Sequence, residues 1–320
     1  MTEPPSCSGR YAAIDIGTVT CRLLVADVDA EGRIREVFRD RDIANLGVGV
    51  DSSGRLAADA VERVGETIDR FASEINELQV QGAPVRVRAI ATSAARDASN
   101  SDELVARLSR AGIELEIVPG EVEAALSFAG ATSAFPGEKA VVVDVGGGST
   151  EIIAGMAGEA PSIAHSFQMG CRRVTERFFE EDPPGAALVE RASVWIAAQL
   201  VDYMENMHEE GYIPGHLIAV AGTATSVVSM REKMEVYDAN RVHGAVVTRS
   251  DLDDLVHELQ DMSLADREKI VGLDPQRAPV ILAGLVILQQ IMDIAPASEF
   301  TVSECDILHG IIADMVKRQR

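Results

Sequence analysis

KAVVVDVGGGSTEIIAGMA, residues 139–157, reads as a strand running into a glycine turn at Gly146-Gly147-Gly148 and out again along a second strand from Ser149. A third strand, PSIAHSFQMG over 161–170, follows it closely. The same grammar stands near the start of the chain. YAAIDIG (11–17), CRLLVADVD (21–29) and RIREVFRDR (33–41) are three strand-like runs joined by the short turns DIGTVT and DAEG. Apolar runs punctuated by such turns predict an antiparallel meander in each place. Asp15-Ile-Gly-Thr and Asp144-Val-Gly-Gly-Gly-Ser-Thr then fall at the same point, between the first and second strand of each half.

Beyond each meander the period changes. Val61, Val64, Ile68, Phe71, Ile75 and Leu78 recur every three or four residues and predict a helix. VRVRAIAT (85–92) and ELEIVP (114–119) read as strands, and 101–110 and 121–130 as helices, the first with Ser101–Asp102 as cap material. In the second half helices are expected near 172–179, 187–210, 223–234, 250–260 and 276–293, strands at 216–222 and 299–304, and a last amphipathic helix over 306–317. Three adjacent strands followed by alternating helix and strand, twice over, predict an α/β fold built as an internal repeat. The expected division is into two related domains, 1–126 and 127–320, facing across a cleft. The first ten residues read as a frayed tail.

A chain of 320 residues corresponds to two domains at roughly 150 residues each. With 47% hydrophobic and 25% charged residues it has the composition of a soluble globular protein. Asp and Glu number 51 against 29 Lys and Arg, a net charge of −22, which argues against a general nucleic-acid or anionic-membrane binder. Cys7, Cys21, Cys171 and Cys305 lie far apart without metal-site spacing and read as reduced thiols of a cytoplasmic protein. MTEPPSCSGR lacks the pattern of a signal peptide. The longest apolar run, 278–288, is far short of the ~20 residues that span a bilayer and reads as a buried helix.

A strand that delivers an Asp into a glycine turn has a chemical use. Gly17, Gly146, Gly147 and Gly148 permit tight turns with positive φ and let backbone N–H groups approach a phosphate. The hydroxyls of Thr18, Ser149 and Thr150 add donors, and Asp15 and Asp144 set a carboxylate where Mg²⁺ bridges to phosphate. Either turn alone reads equally as a plain hairpin with a strand-end Asp. A third turn, Ala221-Gly222-Thr223-Ala224-Thr225-Ser226, opens a helix and offers N–H groups to an anion. Together the three turns resemble the constellation of the actin-like, sugar-kinase-like ATPase superfamily, with its two ribonuclease-H-like domains.

A narrower resemblance runs from Tyr11 to the C-terminus. YAAIDIGTVTCRLLVADV, ATSAARDASN (91–100), PGEVEAALSF (119–128), VDVGGGSTE (143–151), MGCRRVTERF (169–178), VAGTATS (220–226), VHGAVVTRSDL (242–252) and GLDPQRAPVILAG (272–284) are similar, in order, to segments of the exopolyphosphatase / guanosine pentaphosphate phosphatase (Ppx/GppA) family. The resemblance implies a Mg²⁺-dependent hydrolase that removes the terminal phosphoryl of inorganic polyphosphate, or alternatively of guanosine pentaphosphate (pppGpp). It implies Glu123 as the carboxylate that positions or deprotonates the attacking water, with Glu121 as its neighbour and competitor. Glu151 resembles a second family acid that holds Mg²⁺ with Asp144. Arg22, Arg96 and Arg173 are similar to the family's cationic phosphate contacts, and Arg277 is a further candidate. The planar guanidinium suits that task because it binds phosphate bidentately.

Ser303-Glu304-Cys305-Asp306-Ile307-Leu308-His309-Gly310 departs from the family's Ser-Asp-x-Gly-Leu-Arg-Glu-Gly. The length resembles the short two-domain members, and a homodimer is implied by the superfamily. A small-molecule kinase, which would need a nucleotide pocket near Gly222–Ser226, and a non-catalytic polyphosphate or nucleotide sensor are the alternative classes. Residues 1–126 carry −8 and 127–320 carry −14, so neither half is a basic module. A polyanion must then be met locally, by arginines, glycine-turn amides and Mg²⁺, which favours short occupied lengths of substrate.

Overall fold

Both meanders form. In the computed structural model, which describes residues 7–79, 84–212, 217–295 and 297–319, β1 (Cys7–Ile16), β2 (Cys21–Asp29) and β3 (Ile34–Asp42) pair antiparallel in succession. Between and around the later strands run α1 (Val50–Ser53), α2 (Ala58–Glu77), α3 (Ser93–Asp97), α4 (Ser101–Ser109) and α5 (Gly120–Ala131). β4 (Arg86–Ala91) lies parallel to β1, and β5 (Leu115–Ile117) parallel to β4. The sheet order is β3-β2-β1-β4-β5.

Residues 131–306 repeat this plan. β6 (Lys139–Val145), β7 (Thr150–Met156) and β8 (Ile163–Phe167) are the second meander. α6 (Cys171–Phe178) and α7 (Gly185–Glu209) lead to β9 (Leu217–Val220), parallel to β6. α8 (Ala221–Arg231), α9 (Ala239–Val242), β10 (Val246–Thr248), α10 (Arg249–Gln260), α11 (Leu264–Arg267) and α12 (Ala278–Ile294) precede β11 (Glu299–Val302). The order is β10-β11-β9-β6-β7-β8. Followed from the third meander strand inward, this is the first sheet with one antiparallel edge strand, β10, added beside β11. The α/β class and the internal repeat are both present.

The division of the chain differs from the expectation. One compact unit takes residues up to Gly130 together with Ile307 onward, and the other Ala131–Asp306. The last helix, α13 (Ile307–Lys317), therefore belongs with the first meander rather than with 127–320. Alternation along β1 explains why a helix is needed there, because a strand in the middle of a sheet presents a side chain to each face in turn. Ala12, Ile14 and Ile16 face a core closed by α2 and α4, through Val64, Ile68, Phe71, Leu104 and Leu108. Tyr11 and Ala13 face a second core completed by Leu126 of α5 and by Leu308, Ile311, Ile312 and Met315 of α13. Gly310 makes this packing feasible, since a Cβ there would fall 1.9 Å from the Leu126 carbonyl oxygen. In the second unit the central helix is α12, buried almost throughout and packed on α6, α7, α8 and α10.

Four short helices (α1, α3, α9, α11) and β10 were not expected from sequence; each is too short to show a period. Residues 7–10, read as part of a frayed tail, begin β1, while 1–6 and His216 lie outside the described residues. No described helix is long and apolar enough to cross a membrane.

Candidate active site

In the first unit the parallel strands β1, β4 and β5 end on one edge of their sheet. The candidates of this half lie at or just past those ends, where open α/β sheets bind ligands. Asp15 is the penultimate residue of β1 and is paired in register with Arg22 of β2. Arg22 Nε and Nη2 both donate to Asp15 Oδ2, at 3.0 and 2.5 Å. An expected metal ligand and an expected phosphate contact are thus joined to each other. Asp15 is almost fully buried, and its charge adds to burial in raising the thiol of Cys21 far above the ordinary range.

The turn closes where the Gly17 N–H donates to the Thr20 carbonyl at 3.0 Å. A Cβ on Gly17 would stand 3.1 Å from that oxygen, and its φ is not in the left-handed region, so the residue supplies room rather than handedness. Support comes from the segment after β3. Asn45 N–H donates to Val19 O at 2.9 Å and Gly47 N–H to Thr18 O at 2.8 Å, while a Cβ on Gly47 would overlap Thr18 Cγ2 at 2.1 Å. Asn45 adopts φ 52, a conformation that Asn tolerates better than most residues. Sequence reasoning missed both, although Asn-Leu-Gly-Val-Gly at 45–49 carries the signal. Thr18 Oγ1 is buried without a hydrogen-bond partner among the described residues.

β4 ends at Ala91, and the single turn of α3 that follows aims Arg96 at the start of α5. Its Nη1 donates to Glu123 Oε2 at 3.0 Å and to the Val118 carbonyl at 3.1 Å. Its Nη2 is buried with no partner among the described residues. Glu123 stands in the first turn of α5, its N–H bonded to Pro119 O, and is 7% exposed. Glu121, its neighbour, is exposed to solvent. The two acids thus differ in burial, with the expected Glu123 the buried one.

In the second unit β6 carries Asp144 into the glycine turn, and its register partner on β7 is Glu151. Opposed residues of an antiparallel pair share a face, so two buried carboxylates (6% and 1% exposed) stand side by side. Ser166 Oγ on β8 donates to Glu151 Oε1 at 2.6 Å. Gly146 repeats the geometry of Gly17: its N–H donates to Ser149 O at 3.0 Å, and a Cβ would lie 3.1 Å from that oxygen. Here the support is α6. Cys171 and Arg172 N–H groups donate to Gly146 O and Gly147 O at 2.9 and 2.8 Å, and a Cβ on Gly170 would collide with Gly147 at 2.4 Å. Arg173 Nε donates to Gly148 O at 2.8 Å, and the Thr150 hydroxyl donates to Met169 O. Both of these predicted phosphate contacts brace the turn itself, and Ser149 is buried beside them.

The third turn begins at Ala221, at φ 67, after β9. Thr223 Oγ1 donates to Val145 O at 3.3 Å and Ser226 Oγ to Gly222 O at 2.6 Å. A Cβ on Gly222 would fall within the guanidinium of Arg277, at 2.0 Å from Nη1. The divergent 303–310 segment makes contacts within each unit. Ser303 N–H donates to Ala219 O, and His309 Nε2 lies 3.0 Å from Glu36 Oε1 on β3.

The sequence compares with known proteins over nearly its whole length. The Ppx/GppA phosphatase family matches residues 24–319. Exopolyphosphatase 2 of Mycobacterium tuberculosis is 36% identical over 318 residues, covering 94% of this chain and 97% of that protein. Among solved structures, an exopolyphosphatase from Cytophaga hutchinsonii superposes with a TM-score of 0.86 at 25% identity, covering 97% of this chain and 98% of that one. The Aquifex aeolicus member of the Ppx/GppA family does so at 0.76 with 28% identity, covering 98% and 99%.

Proposed function

The chain belongs to the Ppx/GppA phosphatase family, and from that membership we propose that it is an exopolyphosphatase, a cytoplasmic, Mg²⁺-dependent hydrolase of the terminal phosphoanhydride of inorganic polyphosphate. The observation that carries the mechanism is the Arg96–Glu123 pair. Phosphoryl transfer passes through a loose transition state in which the protein mainly positions the nucleophile and neutralises charge. Glu123, hydrogen-bonded to Arg96, orients the attacking water and accepts its proton. Arg96 donates to Oε2 of Glu123 and so fixes the orientation of the carboxylate. The buried Arg96 Nη2 and Thr18 Oγ1, both without partners among the described residues, are the donors to phosphate oxygens.

No described cluster of three or more acids, histidines or cysteines is placed to enclose a metal. Asp144 and Glu151 nevertheless fit a hard divalent ion, because Mg²⁺ keeps much of its water and takes one or two carboxylates together with substrate phosphates. When bound it would neutralise charge on the phosphate oxygens. Asp15, tied to Arg22, is the weaker candidate ligand.

Pyrophosphate links in pppGpp present the same terminal phosphoanhydride, so kcat/KM on the two substrates ranks them. A preference of a hundredfold for pppGpp would make the nucleotide, and not polyphosphate, the first choice. The homodimer, like the short preferred chain length, is a proposal that sedimentation and chain-length series test. The decisive variant is Glu123→Gln. Phosphate release is expected to fall by about 10²–10⁴-fold, the usual worth of a positioned proton acceptor, with the fold retained. Normal turnover would overturn the mechanism.

A further inference from the structure

Arg277 is a buried cation whose position is set at both ends. Its backbone is the N-cap of α12, with its N–H bonded to Asp274 O at 2.8 Å and its carbonyl accepting from Val280 and Ile281. Its guanidinium lies against the backbone of Gly222, where a Cβ would meet Nη1, Cζ and Nη2 at 2.0, 2.2 and 2.4 Å. Three guanidinium atoms at nearly equal distances mean that the plane rests flat on the glycine. The same group acts on Cys171, whose buried thiol it draws back down, and Cys171 N–H is bonded to the Gly146 carbonyl. Arg277 therefore stands in the corner shared by the second and third glycine turns.

We propose that Gly222 is a positioning residue whose missing side chain seats the Arg277 guanidinium, so that the third turn contributes to phosphate capture through Arg277 rather than through its own amides. Physical chemistry makes this specific. A flat guanidinium keeps its N–H fork in one plane, and two parallel bonds to a phosphate need that plane fixed. Any Cβ at 222 displaces all three atoms together. A comparable seat exists in the first unit, where a Cβ on Gly65 would meet Arg107 Nε at 2.3 Å. There the arginine binds Glu62 and Asp69. That arginine is a staple between α2 and α4, whereas Arg277 sits beside the turns.

The inference rests on the reading of Arg277 as a phosphate contact, and a double-variant cycle separates the two. KM and kcat for phosphate release from polyphosphate of one chain length are measured for Gly222→Ala, Arg277→Ala and the double variant, with thermal melts as the folding control. Gly222→Ala is expected to raise KM about tenfold, the worth of one charged hydrogen bond, with kcat changed far less. In the Arg277→Ala background it should add nothing. Arg277→Lys, which folds with Gly222 intact but cannot lie flat, should raise KM like Arg277→Ala. Multiplying effects in the double variant, or wild-type KM for Gly222→Ala or Arg277→Lys, overturns the seating role alone. Wild-type KM for Arg277→Ala overturns the reading of Arg277 and the seat with it.

Discussion

Asp15 with Arg22 and Asp144 with Glu151 occupy the same place in the two halves. In each pair an Asp at the end of the first meander strand stands opposite the second residue of the next strand, across a turn closed by the same 3.0 Å hydrogen bond. Only one side chain differs in kind. In the first unit the partner is a cation, and the pair neutralises itself. In the second the partner is another acid, and two carboxylates buried together favour a bound cation or a shared proton. One backbone solution, repeated, yields a built-in positive charge in one unit and a place to put one in the other. Symmetry of fold therefore does not imply symmetry of chemistry, and the metal reading applies to one turn more strongly than to its twin.

Of the variants that test this pair of turns, replacing Glu151 gives the largest expected effect. Partners one step removed from a metal already cost about 10–100-fold in affinity when lost, so Glu151→Gln should raise the Mg²⁺ needed for half-maximal activity by at least about a hundredfold. With chelator present the same variant should melt no lower than the parent, because it removes a like-charged neighbour from Asp144. A titration of activity against Mg²⁺ and a melt in chelator read the two arms. Unchanged Mg²⁺ dependence would erase the distinction between the turns.

Arg22→Met should behave in the opposite way. It removes two charge-assisted hydrogen bonds to the buried Asp15, at a cost of about 2 kcal/mol. That loss should appear as a lower urea midpoint both with and without Mg²⁺. A loss confined to Mg²⁺-loaded protein would make the first turn a metal site after all.

Much of this contrast was legible in the sequence. The meanders, the repeat and the Asp–Gly turns follow from period and punctuation over long segments, and the strand-to-strand position of Asp15 and Asp144 follows with them. The register that sets Arg22 against Asp15 does not, since it depends on how many residues the closed turn contains. Glu123 was singled out from Glu121 by the family resemblance alone, and their difference in burial was not visible in the sequence. Asn45, Gly47 and Gly170, which hold the turns from behind, act through contacts with residues far along the chain. The placement of α13 was hidden for the same reason: nothing local in 306–317 says which sheet it will cover. Gly17 and Gly146 were expected to give both a positive φ and close approach of the backbone, and the turns use them for space without the positive φ.

The smallest effect tests how α13 is joined to the first unit, a feature that the second unit builds from within its own segment. Glu36 on β3 is held down to about 2 from an ordinary 4.5, chiefly by its hydrogen bond to His309 of α13 and also by Arg39. A carboxylate with a lowered folded-state pKa binds its proton first in the unfolded chain, so it stabilises above pH 4.5 and that support is lost as pH falls toward 2. Its side chain is 44% exposed, so solvent screening keeps the contribution below about 1 kcal/mol. Glu36→Gln should flatten the stability–pH curve between those values and cost less than about 1 kcal/mol at neutral pH. Hydrogen exchange gives the localisation: faster exchange is expected in β3 and α13, with β6–β8 unchanged. Equal loosening of both units would mean that Glu36 supports the molecule generally rather than the docking of this helix.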